Sequence, residues 1–451
     1  IIGNPPFLGG QKQTGLLGTD YRNWLQRWDA HGVKGSADLV AFFVLRASRL
    51  LSGRGQLGYL ATNTLVQGDT LEVGLLQATA DGLVLRRGES SHKWPSRSAN
   101  LEIVTAWASR AALGPDGRCW LDGEDVPRIG PDLEPVGSVA GRPVRLREND
   151  SKAFVGSYVL GLGFTLEPER AATMIERDPV YADVLQPYVI GRDLNQRPDC
   201  SASRWIVNFR DWSLDRCERQ YPEALDIVRR FVKPDRDRNK MASRSERWWR
   251  YAAHAPELYA SVGPLDYILA VARVGSTLVP VRVPTGPVYD VQCVVFAFDA
   301  FAHLAILSSS AHTVWVVRYA STLRTDIRYT PSDVFDTFPR PSPTDELEEL
   351  GRVLDTERRD LMLSRAWGLT TTYNHVHDPA VTDLAVVRLR DIHAGIDRAV
   401  FDAYGWTDLD PQVGHHPTKI GVRWTVSPEV RFEILDRLLA ENHRRHSLES
   451  M

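Results

Sequence analysis

The stretch Ile1-Ile2-Gly3-Asn4-Pro5-Pro6-Phe7 decides how the rest of this chain is read. Two β-branched residues and a glycine spell the end of a strand and a tight turn. A polar amide and an aromatic ring follow. The Asn4 carboxamide oxygen can accept from the exocyclic amine of a flat base. Pro5 and Pro6 fix the turn, so a backbone carbonyl can be held toward the same nitrogen. Phe7 offers a ring on which an extruded base can stack. Two acceptors at one amine favour a tetrahedral nitrogen with its lone pair free to attack a methyl donor. The same seven residues also allow a plainer reading, a Pro-rich turn after a buried strand with Phe7 in the core.

Size and composition narrow the classes. A chain of 451 residues exceeds one compact core, so two or three domains are expected. Hydrophobic content of 43% and charged content of 25% are those of an ordinary soluble protein. No apolar run approaches the ~20 residues that span a bilayer, and no signal peptide is visible. Cys119, Cys200, Cys217 and Cys293 are scattered without a CxxC pair. Neither a zinc site nor a disulfide framework is indicated, and a reducing cytoplasm fits. The His415-His416 pair has no carboxylate or cysteine companions at ligand spacing, so no metal is assigned. The net charge of -3 requires any nucleic-acid surface to be a local patch. The chain opens on Ile1 inside a strand end, which suggests that the natural N-terminus lies upstream.

Residues 1–112 alternate strand and helix signals. Asp38 to Leu51 has an apolar face at helical spacing, Tyr59 to Thr62 reads as a buried strand, Leu71 to Ala80 as helix, and Leu101 to Trp107 as strand. This βαβ rhythm argues an α/β fold with a mainly parallel sheet, whose ligands sit at the carboxyl ends of strands. Residues 113–150, rich in Gly, Pro, Asp and Glu, read as a linker or an excursion. Residues 151–342 mix short strands with many aromatics. Between Arg204 and Arg250 lie 13 Lys or Arg against 8 Asp or Glu, with Trp205, Trp212, Trp248, Trp249 and Tyr251 among them. Interleaved cations and aromatics suit a nucleic-acid surface, and equally a salt-bridged surface around a Trp-rich core. Residues 343–451 read as helical: Glu346 to Ala366, ended by Gly368, then Val387 to Tyr404 and Pro428 to His446, the last with Ser427 as N-cap.

The Asn-Pro-Pro-Phe motif resembles the catalytic motif of amino-group DNA methyltransferases, in particular the adenine-N6 class. Ala37-Asp38-Leu39-Val40 to Leu51 resembles the family's helix after the catalytic loop. Gly55 to Asn63 resembles its next strand. Trp94-Pro95 with Ala99 to Trp107 resembles the motif that holds the target base from the opposite side. A catalytic loop ahead of the recognition region is the gamma order of motifs. Further on, Phe154-Val155-Gly156-Ser157, Gly161 to Phe164, Pro187 to Gly191, Trp248-Trp249, Ser308-Ser309-Ser310 with His312 and Trp315, and Asp333 to Pro339 resemble the recognition domain of type IIG restriction–modification enzymes and of BREX- and DISARM-type defence methyltransferases. Gly368 to Asn374, Asp397 and Ala403 to Trp406 complete that likeness.

The resemblance implies a partial Rossmann-like methyltransferase sheet (its C-terminal half), a mixed α/β target-recognition domain and a helical C-terminal region. It implies a site-specific DNA adenine-N6 methyltransferase fragment that acts on a flipped adenine in double-stranded DNA, in restriction–modification or phage defence. Other defence-system subunits are possible partners. The methyl donor is S-adenosylmethionine, yet its glycine-rich loop is missing; Gly9-Gly10 and Gly53-Arg54-Gly55 are not substitutes. The chain alone is therefore expected to be inactive. By the same resemblance Asn4, Pro5, Pro6 and Phe7 are the catalytic set, and Phe7 and Trp94 stack the target base. Asp38 is a weak candidate for the cofactor or its loop, against a plain helix N-cap. Lys240, Arg244, Arg247 and Arg250 are candidate DNA contacts, mostly to phosphate. Trp248 and Trp249 read as core anchors. His92 and Lys93 suit a phosphate contact or a solvated turn. The alternatives are a non-catalytic, sequence-specific DNA-binding module and an RNA or protein methyltransferase.

Overall fold

Six strands make the first sheet: β1 (Ile2–Gly3), β2 (Gln56–Thr62), β3 (Val84–Lys93), β4 (Glu102–Ser109), β5 (Cys119–Leu121) and β6 (Glu124–Val126). Their order is β1-β2-β4-β3-β5-β6. The computed structural model describes all residues except 34, 95–101, 115–116, 138, 140, 239–241, 324–325, 419 and 451. It divides into two units, Ile1–Gly141 and Arg142–Met451.

In the first unit β1 pairs parallel with β2, and β3 parallel with β5. β4 is antiparallel to both β2 and β3. Thus β1, β2, β3 and β5 point one way, and β4 and β6 point back. The mainly parallel sheet expected from the βαβ rhythm therefore has a reversed strand in its middle. The reason is chain length: residues 94–101 are too few for the crossover of about a dozen residues that a parallel return needs. β3 itself has no apolar alternation in Arg86-Arg87-Gly88-Glu89-Ser90-Ser91, and pairing with β4, not sequence pattern, makes it a strand.

One face of this sheet is covered by helix. α1 (Gly10–Leu17), α2 (Thr19–Trp24) and α3 (Leu39–Leu50) follow β1, and residues 68–80 are helical after β2. α3 buries Val40, Ala41, Phe42, Val44, Leu45 and Ala47, and Asp38 caps it by accepting from the Val40 N–H. Leu57, Tyr59 and Ala61 of β2, with Val104, Ala106 and Ala108 of β4, join the same core. β5 and β6 fall inside the stretch read as a linker or excursion and extend the sheet.

The second unit holds two four-stranded sheets. One orders Val288–Tyr289, Leu185–Val189, Arg204–Val207 and Thr165–Leu166; the other orders Val281–Pro284, Tyr267–Ala272, Cys293–Phe296 and Ala153–Val155. Long helices follow at Asp345–Arg365, Leu384–Tyr404 and Pro428–Glu449. The first of these stops earlier than Gly368. Ala366 takes the left-handed conformation at its end, and Gly368 instead opens the helix Leu369–His377. Gly351 is required where Asp345–Arg365 meets Phe301, since a Cβ there would lie 2.0 Å from the Phe301 carbonyl oxygen. The Ser427 hydroxyl caps Pro428–Glu449 by accepting from the Val430 N–H. Among the described residues no helix is long and apolar enough to cross a membrane.

Buried polar groups tie these helices to the rest of the second unit. The Asn442 amide donates to the carbonyls of Val144 and Thr337, both at 2.7 Å, and accepts from the Val144 N–H at 2.9 Å. Asp397 accepts from the Ser310 N–H and hydroxyl, each at 2.6 Å. Trp248 and Trp249 are buried with Tyr221, Phe209 and Leu225. The Trp249 indole donates to the Trp212 carbonyl at 2.9 Å, and Arg250 donates to it from Nε and Nη2 at 3.1 and 2.8 Å. Arg250 also lies 5.4 Å from the Trp249 ring centroid.

Two expectations follow from this packing. Arg250→Ala should destabilise the second unit by about 1–3 kcal/mol, because the Trp212 carbonyl loses charge-assisted partners; an unchanged urea midpoint would refute this. Acid should also destabilise it. Burial pushes the imidazoles of His312 and His393 down to about 4 and that of His377 to about 3, from 6.5. The unfolded chain then binds more protons, so these groups make stability rise as pH climbs from about 4 to 6.5. Burial raises Asp397 to about 6, which works the opposite way between about 4 and 6. His303, pushed down to about 4, and Asp336, raised to about 6, add one group to each side, so four imidazoles outweigh two carboxyls and the urea midpoint should be lower at about pH 5 than at about pH 7.

Candidate active site

β1 is short, and its position is fixed by β2. The Ile1 amino group donates to the Gln56 carbonyl at 2.8 Å, and the Gly58 N–H donates to the Ile1 carbonyl at 2.9 Å. Ile2 then pairs with Gly58 and Gly3 with Tyr59. The Tyr59 hydroxyl donates to the Phe43 carbonyl on α3 at 3.0 Å, which fixes the ring beside Gly3. The chain leaves the carboxyl end of β1 at Asn4. Asn4 is exposed, Pro5 is buried, Pro6 is exposed and Phe7 is 40% exposed. Phe7 is therefore not a core residue, and the plainer reading of this turn fails on that point.

Because β1, β2 and β3 run the same way, their carboxyl ends share one edge of the sheet. Asn4 emerges there from β1, Asn63 from β2 and Trp94 from β3. Trp94 is 38% exposed. Asn63 Nδ2 donates to the Glu102 carboxylate at 3.2 Å, at the start of the returning strand β4. Nothing in the sequence singles out Glu102; cross-strand register puts it at this edge. Pro95 and Ala99 to Leu101, expected to complete the Trp94 motif, lie outside the described residues, as do the side chains of His92 and Lys93.

Asp38 is 8% exposed. Its Oδ1 accepts from the Val40 N–H at 3.1 Å and from the Leu8 N–H at 3.0 Å. Its Oδ1 is thus occupied by main chain. Gly53-Arg54-Gly55 precedes β2, at the amino edge of the sheet, opposite Asn4. Gly9 and Gly10 lead into α1 directly after the motif.

The candidate DNA contacts lie in the second unit and divide in two. Arg250 is engaged by Trp212 and Trp249, as above. Arg247 is exposed and Arg244 half-buried. Lys240 lies outside the described residues. Much of the surrounding basic stretch is paired: Arg229 with Glu218, Arg230 with Asp226 and Lys233 with Asp237. Arg216 stacks 3.6 Å from the Trp212 ring centroid. His312 and Trp315 are both buried, His312 between the Leu307 carbonyl and the Tyr329 hydroxyl, and Trp315 against Thr337.

Residues 1–107 match the family model described as MmeI, DNA-methyltransferase domain. Residues 148–342 match the model described as MmeI, target recognition domain. No curated protein matches the chain. Among solved structures, the type IIL restriction-modification enzyme MmeI in complex with DNA has a TM-score of 0.70 at 16% identity, over 99% of this chain and 57% of that one. The type IIG restriction endonuclease BpuSI gives 0.28 at 10% identity, over 90% and 54% of the two chains. The DrdV–DNA complex gives 0.34 at 10% identity, over 79% and 44%. The chain spans a little over half the length of MmeI, and its likeness to that structure is one of fold. Two domain models of one enzyme, covering more than half of the chain between them, identify it as a member of the MmeI family of restriction–modification proteins that carries the DNA-methyltransferase and target-recognition domains.

Proposed function

We propose that this chain is the base-handling and DNA-reading part of a site-specific adenine-N6 DNA methyltransferase that serves restriction–modification or phage defence in the cytoplasm. The observation that carries the reading is the exposure of Asn4 and Phe7 at the carboxyl end of β1, on the edge shared with Asn63 and Trp94. Double-stranded DNA is the partner. The target adenine leaves the stack at a cost of a few kcal/mol. Phe7 stacks on one face of it and Trp94 on the other. The Asn4 carboxamide oxygen and the Pro5 carbonyl accept from N6 and orient its lone pair. Catalysis by these residues is positioning and electrostatics, with no covalent enzyme intermediate. Burial of the Pro5 ring supports this, because it holds the following carbonyl in one direction. Exposed Arg247, half-buried Arg244 and Lys240 would neutralise phosphate.

S-adenosylmethionine is the methyl donor that this reading calls for; Asp38, whose Oδ1 is taken by main chain, and Gly53-Arg54-Gly55, at the amino edge of the sheet, are not the residues that would hold it. A whole enzyme is therefore needed for turnover. The test is transfer of labelled methyl groups to unmethylated plasmid DNA, run on this chain and on an upstream-extended form. Activity is expected in the extended form alone. There Asn4→Ala should lower turnover at least about 10²-fold, the scale on which removal of one preorganised polar group acts. Duplex binding should be unchanged. Full turnover by the variant would refute the role of Asn4. Duplex binding with no transfer in either form would favour a non-catalytic DNA-binding module.

A further inference from the structure

We propose that Asp38 and Gln13 are positioning residues that hold the Asn4–Phe7 loop by clamping Leu8, the residue that follows it. This inference rests on reading that loop as the base-binding element. Both main-chain groups of Leu8 are engaged from the start of α3. Its N–H donates to Asp38 Oδ1 at 3.0 Å. Its carbonyl accepts from the Leu39 N–H at 3.0 Å and from Gln13 Nε2 at 3.1 Å. Gln13 is 2% exposed, and its amide also donates to the Ala37 carbonyl at 2.9 Å. Asp38 is held in turn, since its own N–H donates to the Thr70 hydroxyl at 3.0 Å. Close approach enforces the same contact from the other side. A Cβ on Gly10 would lie 2.5 Å from the Ser36 carbonyl, so the segment after the loop rests on the backbone ahead of α3.

The consequence is mechanical. Asn4, Pro6 and Phe7 are exposed and Pro5 alone is buried, so packing holds the loop at that one residue. The rest of its geometry is set at its two ends, by β1 on β2 and by Leu8 on α3. A misplacement of about 1 Å in a positioning element can cost on the order of 10²-fold in rate. The bland alternative is that Asp38 only caps α3.

One substitution separates the two. Serine caps a helix about as well as aspartate, but its shorter side chain cannot reach both the Val40 and the Leu8 N–H groups. Asparagine keeps the length and the accepting oxygen. Two readouts on the full-length methyltransferase test the proposal. Amide hydrogen exchange of the segment around Leu8 should be slow in the wild type and in Asp38→Asn, and fast in Asp38→Ser. In labelled methyl transfer, Asp38→Ser should lower kcat at least about tenfold at an unchanged KM for DNA, while Asp38→Asn keeps most of it. Gln13→Met should weaken Leu8 protection in the same direction. The proposal is overturned if Asp38→Ser keeps both slow exchange and full kcat, which would make Asp38 a cap and nothing more. If the wild type transfers no methyl group, the functional reading fails, and the exchange measurement still decides the clamp.

Discussion

The reversal of β4 is the constraint on which the first unit depends. β4 lies between β2 and β3 and pairs with both along nearly its full length. Without it, β3 has no strong reason to be a strand, for its sequence is polar and Arg-rich. With it, three strands pointing the same way end at one edge, and the loops that leave them converge. Ligand sites in open α/β sheets lie at such edges because the loops there are not needed to close the core. Asn4, Asn63 and Trp94 meet this condition through register, and Glu102 joins them as the first residue of the returning strand.

In the second unit the equivalent task falls to buried polar groups. Asn149 is fully buried; its amide donates to the carbonyls of Phe335, Asp336 and Phe338, while its oxygen accepts from Arg340. Asn442 and Asp397 reach from the last helices to Val144, Thr337 and Ser310. Each such group is costly if left unpaired, and together they join the helical region after residue 342 to earlier segments of the same compact unit. The Trp-rich segment follows the same logic. The Trp249 indole and the Arg250 guanidinium converge on the Trp212 carbonyl, and that anchors the core of this segment.

Composition could not sort that basic surface. Counting 13 cations against 8 anions between Arg204 and Arg250 gives a local excess and nothing about its use. The structure shows the local partners: Arg229, Arg230 and Lys233 pair with neighbouring carboxylates at the surface, Arg250 donates to a carbonyl, and Arg216 stacks on an indole. Arg247, exposed on the surface, is a different kind of residue from Arg250, three positions on. No sequence rule separates the two, because the difference lies in where the Trp212 carbonyl points.

The sequence by itself determined the local elements and the chemistry on offer. Apolar spacing placed α3 and the three long helices, Ser427 and Pro428 placed a helix start, and Asn-Pro-Pro-Phe placed an amide and a ring after a strand. These are local matters, settled by propensity, capping and fixed proline angles. Only the tertiary structure decided that β4 runs backward, that Phe7 is exposed rather than buried, and that Asp38 turns its carboxylate to Leu8 thirty residues earlier in the chain. The physical reason is separation along the chain. Pairing direction, burial and hydrogen-bond partners at that range depend on how elements meet, and periodicity within one element carries no record of it.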